Sequence, residues 1–155
     1  MQFLLEHAVD DGDLDGARRL LAEGARPDVS CHGLDTPLID LALQRYDALM
    51  VKLLIQHGAN VRDVDDHGRS RLHHSAGAGD GSPRLALLLD VGLSPTLQDS
   101  YGWTPLNFAA VHGYSANART LLASGADQTA CTYTGLRAAD LAARSGHYDL
   151  ATELG

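Results

Sequence analysis

Asp99-Ser-Tyr-Gly-Trp-Thr-Pro-Leu-Asn-Phe-Ala-Ala-Val-His-Gly-Tyr114, followed three residues later by Ala118-Arg-Thr-Leu-Leu-Ala-Ser-Gly-Ala-Asp127, is the stretch from which the fold can be read. Thr104 sits where a helix needs an N-cap, because its hydroxyl can satisfy an orphan backbone N–H. Pro105 follows at the first helical position, where the N–H it lacks would have had no partner. Ala109 and Ala110 are small enough to let a second, antiparallel helix approach closely. That helix ends in Leu121-Leu122, and Gly125 falls just past it, at the cap position where a left-handed backbone is wanted. The stretch predicts a helix, a tight turn, a second helix, and an extended loop closing in a β-turn.

The same order of residues recurs along the chain. Gly24, Gly58, Gly92 and Gly125 are spaced 34, 34 and 33 residues apart. Gly33, Gly68, Gly102 and Gly135 are spaced 35, 34 and 33, and Gly79, Gly113 and Gly146 are spaced 34 and 33. Three glycine series in one phase, with a period near 33, predict a solenoid of stacked supersecondary units. A second unit carries Thr36-Pro37-Leu38 and Leu53-Leu54-Ile55-Gln56-His57-Gly58-Ala59, with Thr36 and Pro37 in the capping roles of Thr104 and Pro105. A third has Ser70-Arg71-Leu72-His73 and Leu88-Leu89-Asp90-Val91-Gly92-Leu93. The first keeps Leu20-Leu21-Ala22-Glu23-Gly24-Ala25, and the last keeps Gly135-Leu-Arg-Ala-Ala-Asp140 and Gly146-His147.

Composition agrees with helices. Leu and Ala number 26 and 22, against 7 Val and 2 Ile in 155 residues. Leu and Ala favour helix and the β-branched residues favour strand, so composition argues against an all-β fold. The net charge is −8 and no Lys/Arg run exists. Nucleic-acid affinity rests on basic side chains neutralising phosphates, so neither DNA nor RNA is expected as a partner. No apolar run reaches the ~18 residues of a membrane span, and no membrane partner is expected. Met1–His7 lacks the basic and long apolar regions of a secretory signal, which makes a cytoplasmic location the expectation. Cys31 and Cys131 belong to no motif and read as reduced thiols.

With Thr104-Pro105-Leu106 and Leu121-Leu122-Ala123-Ser124-Gly125-Ala126 carrying the match, the chain resembles the ankyrin-repeat family over essentially its whole length. The resemblance implies an all-α solenoid of five units, 1–29, 30–62, 63–96, 97–130 and 131–155, in a single domain. It also implies a monomeric, non-catalytic module that binds a protein partner through hairpin tips and the concave face of the first helices. Those positions are Leu34, Asp35, Leu43 and Gln44 in the second unit and Asp66, His67, Arg69, Gly77 and Ala78 in the third. They are Ser100, Tyr101, Trp103, Val111 and His112 in the fourth, and Tyr133, Thr134, Leu136, Arg144 and Ser145 in the fifth.

Within that set Tyr101, Trp103 and Tyr133 stand out. Trp and Tyr are enriched at binding hot spots, and all three fall in adjacent tips. Trp103 and Leu136 each follow a tip glycine and share a slot, while Val111 and His112 close the patch on the concave side. Asp65, Asp66 and Asp99 are expected to form an acidic rim suited to a basic or mixed-charge segment. Alternative readings are a ligand-binding or enzymatic groove, or an architectural domain of a longer protein. A host-directed effector, acting in the cytosol of another cell, is a further variant of the adaptor reading.

Other chemistry finds little support. Cys31-His32 and His73-His74 match no zinc or metalloprotease spacing, so no metal or cofactor is expected. In the family the T-P-L-H histidine, here His73, ties adjacent hairpins together. Gly77-Ala78-Gly79-Asp80-Gly81-Ser82 follows a helix rather than a strand and reads as an interhelical turn. Its three glycines predict the lowest local stability in the chain. Asp63, Asp65 and Asp66 read as turn-forming and solvated. Arg45-Tyr46-Asp47 stands where other units place a glycine. The first unit starts directly in its helix and serves as a polar cap through Asp13, Asp15, Arg18, Arg19 and Glu23. The last unit stops at Leu154-Gly155 within its second helix, which reads as natural termination.

Overall fold

A computed structural model describes residues 1–28 and 37–155. Among the described residues ten helices run in order: α1 Gln2–Asp11, α2 Leu14–Ala22, α3 Leu38–Gln44, α4 Ala48–Gln56, α5 Arg71–Gly77, α6 Pro83–Asp90, α7 Pro105–His112, α8 Ser115–Ala123, α9 Ala138–Arg144 and α10 Tyr148–Leu154. The fold is all-α, and the described residues hold one isolated antiparallel bridge, between Val64 and Ser70. The chain divides into two compact units, Met1–Val61 and Arg62–Gly155. The readings placed on Cys31, His32, Gly33, Leu34, Asp35 and Thr36 lie outside the described residues.

In Met1–Val61, α1 packs on α2 and α3, and α4 on α3. Leu5, Val9, Leu38, Leu43, Met50 and Leu54 form its buried centre. Asp13 and Asp47 cap the second helix of each pair, accepting from Gly16 N at 2.9 Å and Met50 N at 3.0 Å. Tyr46 occupies the turn between α3 and α4 with φ 56°, the left-handed backbone that Gly12 adopts between α1 and α2. The turn keeps its geometry without the glycine, at the expense of crowding the tyrosine Cβ.

Two expectations need correction in this unit. Pro37 precedes α3 as its cap residue, so the helix starts one residue later than Pro37 suggests. Leu43 is fully buried and presents nothing to a partner, whereas Gln44 is exposed. The charged residues of and around α2 face solvent as expected, but α1 also exposes Phe3 and Leu4, at 58% and 56%.

In Arg62–Gly155, α5, α7 and α9 pack side by side in succession, each with its own second helix. Leu106, the core leucine of the deciding stretch, is 1% exposed. The hairpin tips are joined by backbone hydrogen bonds. Ser100 N donates to His67 O at 2.8 Å, and Tyr133 N donates to Tyr101 O at 3.1 Å. His73 fulfils its expected role. Its Nδ1 accepts from Ser70 N at 3.0 Å, and its Nε2 lies 3.0 Å from Trp103 O in the next tip. His147 reaches back in the same way, Nε2 to Val111 O at 3.1 Å. Its ring lies over Gly113, where a Cβ would sit 2.5 Å from Nδ1, so only glycine admits it.

The Gly-rich turn after α5 is held by a residue from another unit. Asn117, 1% exposed, accepts from Ser82 N and donates through Nδ2 to Ala76 O and Gly79 O. Its backbone N–H donates to Asp80. One side chain thus supplies partners to a turn that the glycines alone would leave loose.

Candidate functional site

The tip at 99–103 is built by one carboxylate. Asp99 Oδ1 accepts from Tyr101 N at 2.8 Å and from Trp103 N at 2.9 Å, and Asp99 N donates to Trp103 O. Asp65 builds the preceding tip identically, accepting from His67 N and Arg69 N, both at 2.9 Å. Thr132 takes that place in the last tip, accepting from Leu136 N at 3.2 Å. Short acidic and hydroxyl side chains do this well because they reach their own backbone two to four residues on. The turn fixes the directions of the residues it contains, which places Arg69, Tyr101, Trp103 and Tyr133 along one edge.

Those side chains enclose a groove of about 500 Å³, lined by Arg69, Ser100, Tyr101, Trp103, Phe108, Tyr133 and Thr134. Phe108 is its centre. The Trp103 ring meets it edge-on at 5.3 Å, His73 meets it at 5.7 Å, and the Arg69 guanidinium carbon lies 5.1 Å from its centroid. Arg69 Nε donates to Asp99 Oδ2 at 3.2 Å, with the Asp99 side chain wholly buried and that of Arg69 30% exposed. Tyr101 and Tyr133 are 52% and 73% exposed. Tyr133 lies across Gly102, where a Cβ would come within 2.6 Å of its ring. Any larger residue at 102 would push the tyrosine off the groove.

The electrostatics are of two kinds. The Arg69–Asp99 pair compensates its own charge inside the groove wall. Outside it, Asp65 is held below the usual carboxylate range, first by the Arg69 N–H, with His67 N–H and His74 assisting against partial desolvation. Asp66 is exposed beside it. Burial pushes the His73 imidazole down, so it stays neutral with Nδ1 accepting and Nε2–H donating to Trp103 O.

Of the residues singled out from the sequence, Arg69, Tyr101, Trp103 and Tyr133 converge, and the His67 ring lies 6.0 Å from that of Tyr101. Val111, His112, Leu136 and Arg144 do not line the groove. His112 stacks on Tyr114 at 5.4 Å and bonds Phe108 O, while the Val111 carbonyl is occupied by His147. The acidic rim expected at Asp99 is not formed, because that carboxylate is buried in its own turn. Trp103 is half-buried rather than a free tip residue, its indole anchored on Phe108.

Phe108 is the groove residue that the sequence reading missed. Its signal was available: it sits four residues after Thr104, and helical side chains lean toward the N-terminus. A ring there points at the tip. Among the described residues no cluster of three or more metal-ligating side chains exists, and no helix is long and apolar enough to cross a membrane.

Comparison with known proteins places this geometry. The family model for ankyrin repeats (3 copies) matches residues 5–89 and 78–155. The chain is 34% identical over 146 residues to ankyrin repeat protein nuc-2 of Neurospora crassa, covering 94% of this chain and 14% of that protein. It is 36% identical over 124 residues to the calmodulin-binding transcription activator CBT of Oryza sativa subsp. japonica, covering 76% of this chain and 13% of the other. To the ankyrin repeat protein YahD of Escherichia coli (strain K12) it is 34% identical over 113 residues, covering 66% of this chain and 54% of the other. The chain therefore spans about one seventh of the first two relatives and about half of the third.

Proposed function

The chain belongs to the ankyrin-repeat family, and on that premise we propose that it is a non-catalytic adaptor that docks a protein partner in the groove of its last three tips. Ankyrin repeats in general mediate protein–protein interaction, and the observation that carries the reading is the convergence of Tyr101, Trp103, Phe108 and Tyr133 in one cleft. Large aromatic side chains bring apolar area with a polar handle and lose little rotamer freedom on binding. Here they are already in place. Trp103 is braced by Phe108 and Tyr133 by the Gly102 tip, so a partner meets a preformed site rather than ordering one.

The titratable groups in the groove wall serve each other. Arg69 and Asp99 are paired at 3.2 Å, with Asp99 also committed to two backbone N–H groups, which fits a binding surface rather than acid–base chemistry. The test is affinity capture from native lysate with wild type and Trp103→Ala side by side. Bands retained by wild type should be lost with the variant, corresponding to about 2 kcal/mol or more of binding energy, while helical circular dichroism is unchanged. Equal capture by a folded variant would move the interaction surface away from these tips.

A further inference from the structure

The groove has a feature that its aromatic lining does not require: a guanidinium facing a cleft whose charge is already balanced. Arg69 spends Nε on the buried Asp99, and its two terminal nitrogens have no hydrogen-bond partner among the described residues. They carry four N–H donors into the wall of a largely aromatic cleft. An occupant that fills the cleft without an acceptor would leave those donors desolvated and unmatched. One bearing a carboxylate gains little, because Asp99 at 3.2 Å already neutralises the guanidinium and ionised Asp65 belongs to the same hairpin. One placing an ammonium in the cleft offers the guanidinium no acceptor and loses its own hydration. A neutral acceptor with apolar bulk satisfies all three conditions, and a peptide carbonyl beside a large apolar side chain is such a group.

The charge outside the cleft selects what flanks that anchor. Asp65 and Asp66 are exposed on the hairpin that delivers Arg69, and Asp65 is held ionised by the backbone N–H groups it accepts from. The whole chain carries −8. Acidic segments are therefore repelled on approach and basic ones drawn in.

Resting on the docking reading above, we propose that the occupant is an extended peptide segment with one bulky apolar anchor and at least one Lys or Arg within a few residues of it. The anchor enters between Trp103 and Tyr133, its carbonyl accepts from Arg69, and the basic residue lies against Asp65 and Asp66.

The molecule contains one tryptophan, Trp103, in the cleft itself. Its fluorescence thus reports occupancy of this site alone. The experiment is selection of a random, tryptophan-free decapeptide library on the full chain, followed by titration of the enriched peptides with Trp103 emission as readout. The proposal expects an enriched pool with an aromatic or large aliphatic residue next to Lys or Arg. Binding should shift Trp103 emission, weaken several-fold between 50 and 500 mM salt through screening, and weaken at least ten-fold in Tyr133→Ala. That variant removes a 73% exposed ring, and its helical circular dichroism should match wild type. Asp65→Asn with Asp66→Asn should weaken basic peptides alone. An acidic or charge-indifferent pool that still shifts Trp103 overturns the inferred chemistry and leaves the groove as the docking site. Binders that neither shift Trp103 nor respond to Tyr133→Ala overturn both, as does a library from which nothing is enriched.

Discussion

At the start of α5, His73 Nδ1 accepts from Ser70 N and from the Ser70 hydroxyl, and its far nitrogen crosses to Trp103 O in the next unit. At the start of α7, Asn107 Oδ1 accepts from Thr104 N at 2.7 Å and from the Thr104 hydroxyl at 2.9 Å. Each residue stands three positions after its cap, and each closes the same local ring of hydrogen bonds. The imidazole has a second polar atom on its opposite edge and joins two units. The shorter amide turns its second group inward, and Asn107 Nδ2 is buried without a hydrogen-bond partner among the described residues. Capping and unit-to-unit coupling are thus separate jobs, which His73 combines and Asn107 does not. The residue matching Trp103 in the last tip is Leu136, whose carbonyl accepts from Thr132 N alone among the described residues.

The largest expected effects ask whether the two units differ in anything but that bond. Leu72 and Leu106 precede His73 and Asn107 and are 0% and 1% exposed. Leu72→Ala and Leu106→Ala should each lower stability by about 2–5 kcal/mol in urea melts, the range for a buried leucine truncated to alanine. A loss under about 1 kcal/mol at either site would mean that the core register described above is wrong. A much larger loss at one would place the difference in packing.

The next effect concerns His73 itself. His73→Asn keeps the local acceptor and loses the bond to Trp103 O, which still accepts from Asp99 N; the lost bond and the space left by the ring should together cost about 1–3 kcal/mol. The same variant tests a pH dependence. Burial lowers the folded-state pKa of His73 below its ordinary 6.5. The neutral ring's contribution is therefore complete above about 6.5 and is lost as pH falls toward the depressed folded value, since the unfolded chain takes up the proton first. Wild type should lose more stability between pH 7.5 and 5.5 than His73→Asn does. Equal losses would show that the other histidines carry the whole dependence.

The smallest effect runs the comparison in reverse. Asn107→His should restore the far-edge donor, reach Leu136 O, and raise stability by about 1 kcal/mol. No gain, or a loss, would indicate that the space between α7 and α9 is too narrow for a ring, and that Asn107 is there for size.

Residues whose partners are close in the chain were legible from the start. The glycine period, Thr104 and Pro105 at the head of α7, Leu106 in the core and the His73 tie all follow from local backbone geometry repeated at a constant interval. Tyr101, Trp103 and Tyr133 were legible as a group for the same reason, since the period sets their tips side by side. Leu43 was misread because α3 packs on both α1 and α4, which buries this position in the last turn of the helix.

By itself the sequence determined the helical class, the repeat and the caps, because each depends on bonds spanning a few residues. Only the tertiary structure decided that Asn117 would clamp a turn 35 to 41 residues away, that Asp99 would be buried against Arg69 across 30 positions, and that Phe108 would sit between them and Trp103. Those contacts run between neighbouring units. Whether two side chains meet there depends on the rise from one unit to the next and on which rotamers the packing leaves open, and neither is encoded in the spacing of residues along one unit.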